Sequence, residues 1–179
     1  MADINVSAVS LRPSEPSNER QAGGPAYDLI ELLFFAYRDF IGDADERLAG
    51  LGFGRAHHRV LHFVNRHPGM RVADLLDILK ITKQSLGRVL RDLVEQGYVV
   101  QKAGQADRRQ RLLHLTAKGE TLARDLALVQ TRRFARALHE YGPGAREAAR
   151  KFLTAMIDPA AREEVERLIA RAERADPKR

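Results

Sequence analysis

The stretch from Met70 to Gly119 constrains this chain most. It sets two helical periodicities end to end, with only Lys80–Thr82 between them, and follows them with two β-prone runs. Val72, Leu75, Leu76 and Leu79 fall at i, i+3, i+4, i+7, the spacing that puts side chains on one helix face. Leu86, Val89, Leu90, Leu93 and Val94 repeat that periodicity. Thr82 suits an N-cap, because its hydroxyl can accept from an amide that the next turn leaves unpaired. Gly97 suits the left-handed residue just past the helix end. A turn this short forces the two helices to pack at a steep angle. Tyr98–Lys102 and Arg111–Thr116 then flank a polar, basic tip, Ala103–Gln110. The pattern is a helix-turn-helix followed by a β-hairpin wing. Met70–Arg71 is placed to add a short strand to that wing.

Charge gives the motif a direction. From Lys80 to Arg111 there are eight basic residues and three acids, a net of +5 in a chain whose total is +6. A basic cluster alone reads as a solvated face; on a helix-turn-helix and wing it reads as a surface for phosphate. The second helix would lead into a DNA major groove with Thr82, Lys83, Gln84, Ser85 and Arg88. Gln84 can offer paired bonds to adenine, and Lys83 or Arg88 can reach guanine or phosphate. Arg108, Arg109 and Arg111 lie at or beside the wing tip, where an arginine suits a narrow minor groove. Asp107 would repel phosphate, so it is expected to orient Arg109 or to stabilise the turn. Gly87 costs the helix about 1 kcal/mol against alanine. It would allow close approach to phosphate or to the preceding helix, or it is neutral.

This segment resembles the MarR family of bacterial winged-helix regulators, whose wing reads D-x-R, then a strand, L-T and x-x-G. Asp107, Arg109, Leu115, Thr116 and Gly119 supply those residues in order. The resemblance covers roughly residues 28–157. It implies an obligate homodimer, a pseudo-palindromic operator and release from DNA by a ligand. It also implies a pocket for a small anionic or phenolic effector where the first, second and fifth helices converge. Carried onto this chain, that position points to Phe35, Arg38 and Asp39 on the first helix and His58 and His62 on the second.

The remainder of the chain fits that frame. At 179 residues, 44% hydrophobic and 30% charged, it can hold one core plus a dimerisation arm. There is no bilayer-length apolar run and no apolar leader, so the expectation is a cytoplasmic protein without a membrane partner. Cysteine is absent, which excludes disulfides, thiolate nucleophiles and zinc–cysteine sites. A long helix is expected from Ala26, with Leu29, Ile30, Leu33, Phe34, Tyr37, Phe40, Ile41, Ala44 and Leu48 in one broad stripe. So much apolar circumference is normally buried on several sides, and a partner subunit is the economical way to bury it. Further helices are expected over 55–65, 117–141, 145–156 (burying Ala148, Phe152 and Met156) and from Pro159, with Asp158 as N-cap. The fold class is mostly α with a small β-wing. A winged helix-turn-helix domain (51–116) lies between a dimerisation helix (25–50) and C-terminal dimerisation helices (117–175), with an arm at 1–24 and a tail at 176–179.

His57, His58, His62 and His67 crowd one helix and its end. His58 and His62 have the i, i+4 spacing that can share a metal, with Asp39, Asp43, Asp45 or Glu46 as conceivable donors. No H-E-x-x-H arrangement accompanies them, so packing or pocket lining is the preferred reading, and neither metal nor cofactor is expected. No G-x-S-x-G, Walker loop or dinucleotide fingerprint is present, and the chain does not read as an enzyme. The expected function is sequence-specific regulation of transcription by a homodimer on double-stranded DNA, under a small-molecule effector. The alternatives are a ligand-independent regulator or activator, and a winged helix used for protein contact.

Overall fold

The computed structural model describes residues 24–175 apart from 105, 106 and 108. The arm expected over 1–24, its last residue aside, lies outside the described residues, as do the tail and Arg108. Contacts divide the chain into two units at Phe35–Ala36. In the first, helix α1 (Tyr27–Ala49) begins, and Leu29, Ile30, Leu32, Leu33, Phe34 and Phe35 are all exposed. The Phe34 and Phe35 rings meet edge to face at 5.3 Å.

The second unit holds the rest of α1 and every other described element. These are α2 (Arg55–Arg66), β1 (Met70–Arg71), α3 (Val72–Leu79), α4 (Lys83–Glu95), β2 (Val99–Ala103), β3 (Arg111–Leu115), α5 (Ala117–Tyr141), α6 (Ala145–Met156) and α7 (Pro159–Ala175). The strands form one antiparallel sheet in the order β1-β3-β2, with Met70 opposite Leu113 and Val99 opposite Leu115. Met70–Arg71 thus joins the wing as expected. No helix among the described residues is long and apolar enough to cross a membrane.

The core is continuous and lies under the helix-turn-helix. Leu48, Val60, Leu61, Val64, Leu75, Leu86, Leu93, Leu113 and Leu126 are fully buried in it. Each such side chain stabilises the fold by about 1.5–3 kcal/mol relative to exposure. The periodic stripes of α3 and α4 therefore point where their spacing requires, with one correction. Val94 is 39% exposed. It sits roughly 90° round the helix from the stripe's centre, at its edge.

Local chemistry fixes the ends of these helices. The Asp74 carboxylate accepts the backbone N–H of Arg71 at 3.1 Å and also pairs with its guanidinium, starting α3. That helix stops at Lys80, a non-glycine residue in the left-handed region (φ 51°, ψ 40°) whose N–H bonds the Leu76 carbonyl. Asp158 caps α7, its Oδ1 accepting the Ala160 N–H at 2.9 Å. A second correction concerns α6, which buries no residue: Phe152 is 58% and Met156 51% exposed, and Ala148 is exposed too. The core closes on itself between Ala44 and Leu126, and α6 begins beyond it.

Candidate nucleic-acid interface

The second helix of the motif has two unlike faces. Leu86, Val89, Leu90 and Leu93 of α4 are buried, while Lys83, Gln84, Gly87, Arg88 and Arg91 are exposed. Thr82 caps the helix as expected, its Oγ1 accepting the Ser85 N–H at 3.1 Å. Its hydroxyl also donates to Ser85 Oγ at 2.9 Å. These two hydroxyls build the turn, which leaves Lys83, Gln84 and Arg88 as the outward-reaching groups. A Cβ added at Gly87 would meet nothing within 4 Å, so packing against α3 does not require glycine there.

The wing tip is organised by Asp107. Its Oδ1 accepts the backbone N–H of Arg109 at 2.9 Å, and its carbonyl accepts the Gln110 N–H at 3.0 Å. Asp107 therefore stabilises the turn through the Arg109 backbone. The Gly104 N–H closes the loop onto the Gln110 carbonyl at 3.0 Å, and a Cβ at Gly104 would come within 2.8 Å of the Asp107 carbonyl. Arg109 and Arg111 are exposed at this end of the hairpin.

The L-T-x-x-G segment joins the wing to both neighbouring helices. Thr116 Oγ1 accepts the Gly119 N–H at 3.1 Å, capping α5, and donates to the Gly97 carbonyl at 2.7 Å, just past α4. A side chain at Gly119 would lie 2.1 Å from the Tyr98 carbonyl oxygen, so only glycine lets α5 start this close. Lys118 reaches back to the Gln96 carbonyl at 3.0 Å, with its ammonium 4.1 Å from the Tyr98 ring centre.

A cleft of about 190 Å³ opens elsewhere on the second unit, lined by Tyr37, Phe40, Arg55, His58, Arg59 and His62 among others. Of the five pocket residues expected, His58 and His62 line it. Arg38 and Asp39 instead pair with each other at 2.9 Å on α1, and Phe35 belongs to the first unit, against Phe34. Tyr37, Phe40 and Ile41 supply the α1 wall in their place, because their spacing turns them toward α2 while Arg38 and Asp39 fall between. Arg55, His58, Arg59 and His62 recur at three and four residues, and that stripe was readable in the sequence. Arg55 pairs with Asp45 at 2.9 Å, and Arg59 donates to the Tyr37 hydroxyl at 3.2 Å.

Burial pushes the His58 imidazole below its ordinary value, with Asp45 opposing and Arg59 assisting. Burial and the neighbouring His58, Arg66 and His67 lower His62 to about 4. His62 keeps an exposed face, and solvent there moderates the shift. Burial, then Arg66 and Arg171, lowers His67 as well.

A profile of the MarR family matches residues 51–110, the turn into α2 through the wing tip. The HTH-type transcriptional regulator PetP of Rhodobacter capsulatus is 49% identical over 133 residues, covering 74% of this chain and 80% of that protein. The chain belongs to the MarR family. The fold agrees over most of the chain. The crystal structure of MarR superposes with a TM-score of 0.60 at 24% identity, covering 86% of this chain and 99% of that one. Streptococcus pneumoniae FabT, solved in complex with DNA, gives a TM-score of 0.66 at 18% identity, covering 74% and 94%. The family is one of winged helix-turn-helix transcriptional regulators, and the geometry above is that of its motif.

Proposed function

We propose that this MarR-family chain binds double-stranded DNA as a homodimer on an inverted-repeat operator and so regulates transcription. One observation carries the reading: α4 buries Leu86, Val89, Leu90 and Leu93 and leaves Lys83, Gln84 and Arg88 exposed beyond a well-formed cap. Those residues would enter the major groove while Arg109 reaches the flanking minor groove, with Arg111, and Arg108 by its place in the sequence, beside it. FabT in its DNA complex shares this fold, which supports the assignment. The exposed apolar residues 29–35 and, separately, the uncovered face of α6 support a second copy as the remaining partner. Two-fold symmetry then requires half-sites about one helical turn, roughly 10 bp, apart. The effector of this reading is a small anionic or phenolic molecule in the cleft beside Arg59 and His62, shifting the balance between two spacings of the recognition helices.

The experiment is selection of duplexes from a randomised pool of about 30 bp, followed by binding at several salt concentrations. An inverted repeat should emerge, with affinity falling steeply as salt rises. Arg88→Ala should weaken binding about tenfold and reduce the salt slope by about one. Arg109→Ala should weaken binding and leave the dimer intact. Equal affinity for selected and shuffled duplexes at low salt would sink the assignment. Unchanged operator affinity across a panel of phenolic and carboxylic acids would remove the effector alone.

A further inference from the structure

Asp92 presents a puzzle on a helix meant for a polyanion: it places a carboxylate one turn beyond Arg88. Its partner explains it. His57 Nε2 lies 3.2 Å from Asp92 Oδ2, joining α2 to α4 across 35 residues of sequence. The other ring nitrogen, Nδ1, accepts the backbone N–H of Gly54 at 3.1 Å. An acceptor at Nδ1 carries no proton, so the neutral ring holds its single proton on Nε2 and donates it to Asp92. The ring has little freedom to swing. It stacks on Phe53 at 4.6 Å and 12°, and Phe53 in turn meets Tyr98 edge to face at 5.2 Å. His57 is largely buried, with a side-chain exposure of 13%.

We propose that His57 is a positioning residue for the recognition helix: its bond to Asp92 sets the rotation of α4 on α2, and so the aim of Lys83, Gln84 and Arg88. His57 itself touches no base or phosphate; it acts through Asp92, as a supporting group locks the residues that do. A slightly misaimed helix keeps its charge and its attraction for any duplex. It loses the alignment on which discrimination between duplexes depends. The inference rests on the proposed role of α4 as the DNA-contacting helix.

The test compares preference, the ratio of affinities for a duplex selected by the wild-type protein and a shuffled duplex of equal length, at fixed salt. His57→Phe keeps the stack on Phe53 and removes both hydrogen bonds. Its preference should fall about tenfold, with the salt slope unchanged. His57→Gln can accept from Gly54 and donate to Asp92, and should stay within about threefold of wild type. Asp92→Ala should strengthen binding to the shuffled duplex, since a repelling charge is gone, and lose about tenfold in preference. In that background His57→Phe should remove nothing further. A nitrogen spectrum of the wild type should show the His57 proton on Nε2. If His57→Phe fails to fold, the Gln and Asp92→Ala variants and the spectrum still decide. Wild-type preference in His57→Phe or Asp92→Ala, a further loss on combining them, Gln as poor as Phe, or a proton on Nδ1 would overturn the proposal. A wild-type protein with no preference for any duplex would instead overturn the role given to α4.

Discussion

The lobe from α2 through the wing and the exposed apolar segments outside it are built from the same kinds of residue and end in opposite states. In the lobe, Leu61, Leu75, Leu93 and Leu113 reach zero exposure, each meeting side chains of its own chain. Between Tyr27 and Phe35, and again along α6, leucines and phenylalanines remain open. Apolar periodicity therefore says that a face will be covered, without saying by whose atoms. The lobe is closed by one chain; the other faces are left uncovered by it, which is what the proposed homodimer would complete.

The largest expected effect would break the closed lobe. Gly119→Ala sets a Cβ against the Tyr98 carbonyl, backbone on both sides, where no rotamer change can relieve it. We expect a loss of at least about 3 kcal/mol in denaturant unfolding, with the proposed dimer lost only as a consequence of unfolding. A substitution outside the lobe should do the reverse. Phe34→Glu removes an exposed aromatic from a face that nothing in its own unit covers. Sedimentation should show dimerisation weakened about thirtyfold or more, the effect of an interface aromatic worth about 2 kcal/mol. At protein concentrations too low for the dimer to form, the lobe should unfold at the same denaturant midpoint as wild type. A shift of that midpoint as large as that of Gly119→Ala would erase the distinction between the two regions.

Much of the fold was legible in the sequence because its determinants are local. Thr82, Gly97, Thr116 and Asp158 mark helix ends through bonds that span two or three residues, and the stripes of α3 and α4 follow from helical geometry alone. The burial of Phe152 and Met156 was misjudged because periodicity reports a face and not its neighbour. The α1 wall of the cleft was missed for a related reason: carrying a family position over by analogy selected Arg38 and Asp39, whereas Tyr37, Phe40 and Ile41 hold the helical register that meets α2. The bond from His57 to Asp92 and the left-handed Lys80 had no signal at all in spacing or composition. The first depends on a tertiary contact, and the second on a backbone angle that lysine seldom adopts.

A smaller change tests the turn between the two motif helices without touching the core. Thr82→Ala removes the cap on α4 and the partner of the Ser85 hydroxyl. Thermal or urea unfolding should register about 1 kcal/mol, and operator affinity should fall less than with Arg88→Ala, since Thr82 shapes the turn more than it reaches outward.

The smallest effect is acid-dependent and separates the two regions by their titrating groups. His58, His62 and His67 all lie on α2 or its end, and burial lowers all three below their ordinary value of 6.5. A lowered imidazole is favoured neutral in the fold, so its contribution is complete above pH 6.5 and fades as pH falls toward about 4, where His62 titrates. In that window the unfolded chain binds more protons than the native one, and stability must rise with pH. Asp74 has the opposite chemistry and the same direction of pH dependence. Arg71 lowers its carboxyl below the ordinary 3.8, so its contribution is lost only under still stronger acid. Urea midpoints measured from about pH 7 to about pH 4 should therefore decline gently, and His62→Gln should flatten the decline. Residues 27–35 and α6 contain no histidine. The concentration dependence of unfolding should accordingly stay constant across the same range while the lobe weakens. A dimer that dissociates between pH 6.5 and 5 with the lobe intact would mean that the imidazoles of α2 serve the association surface.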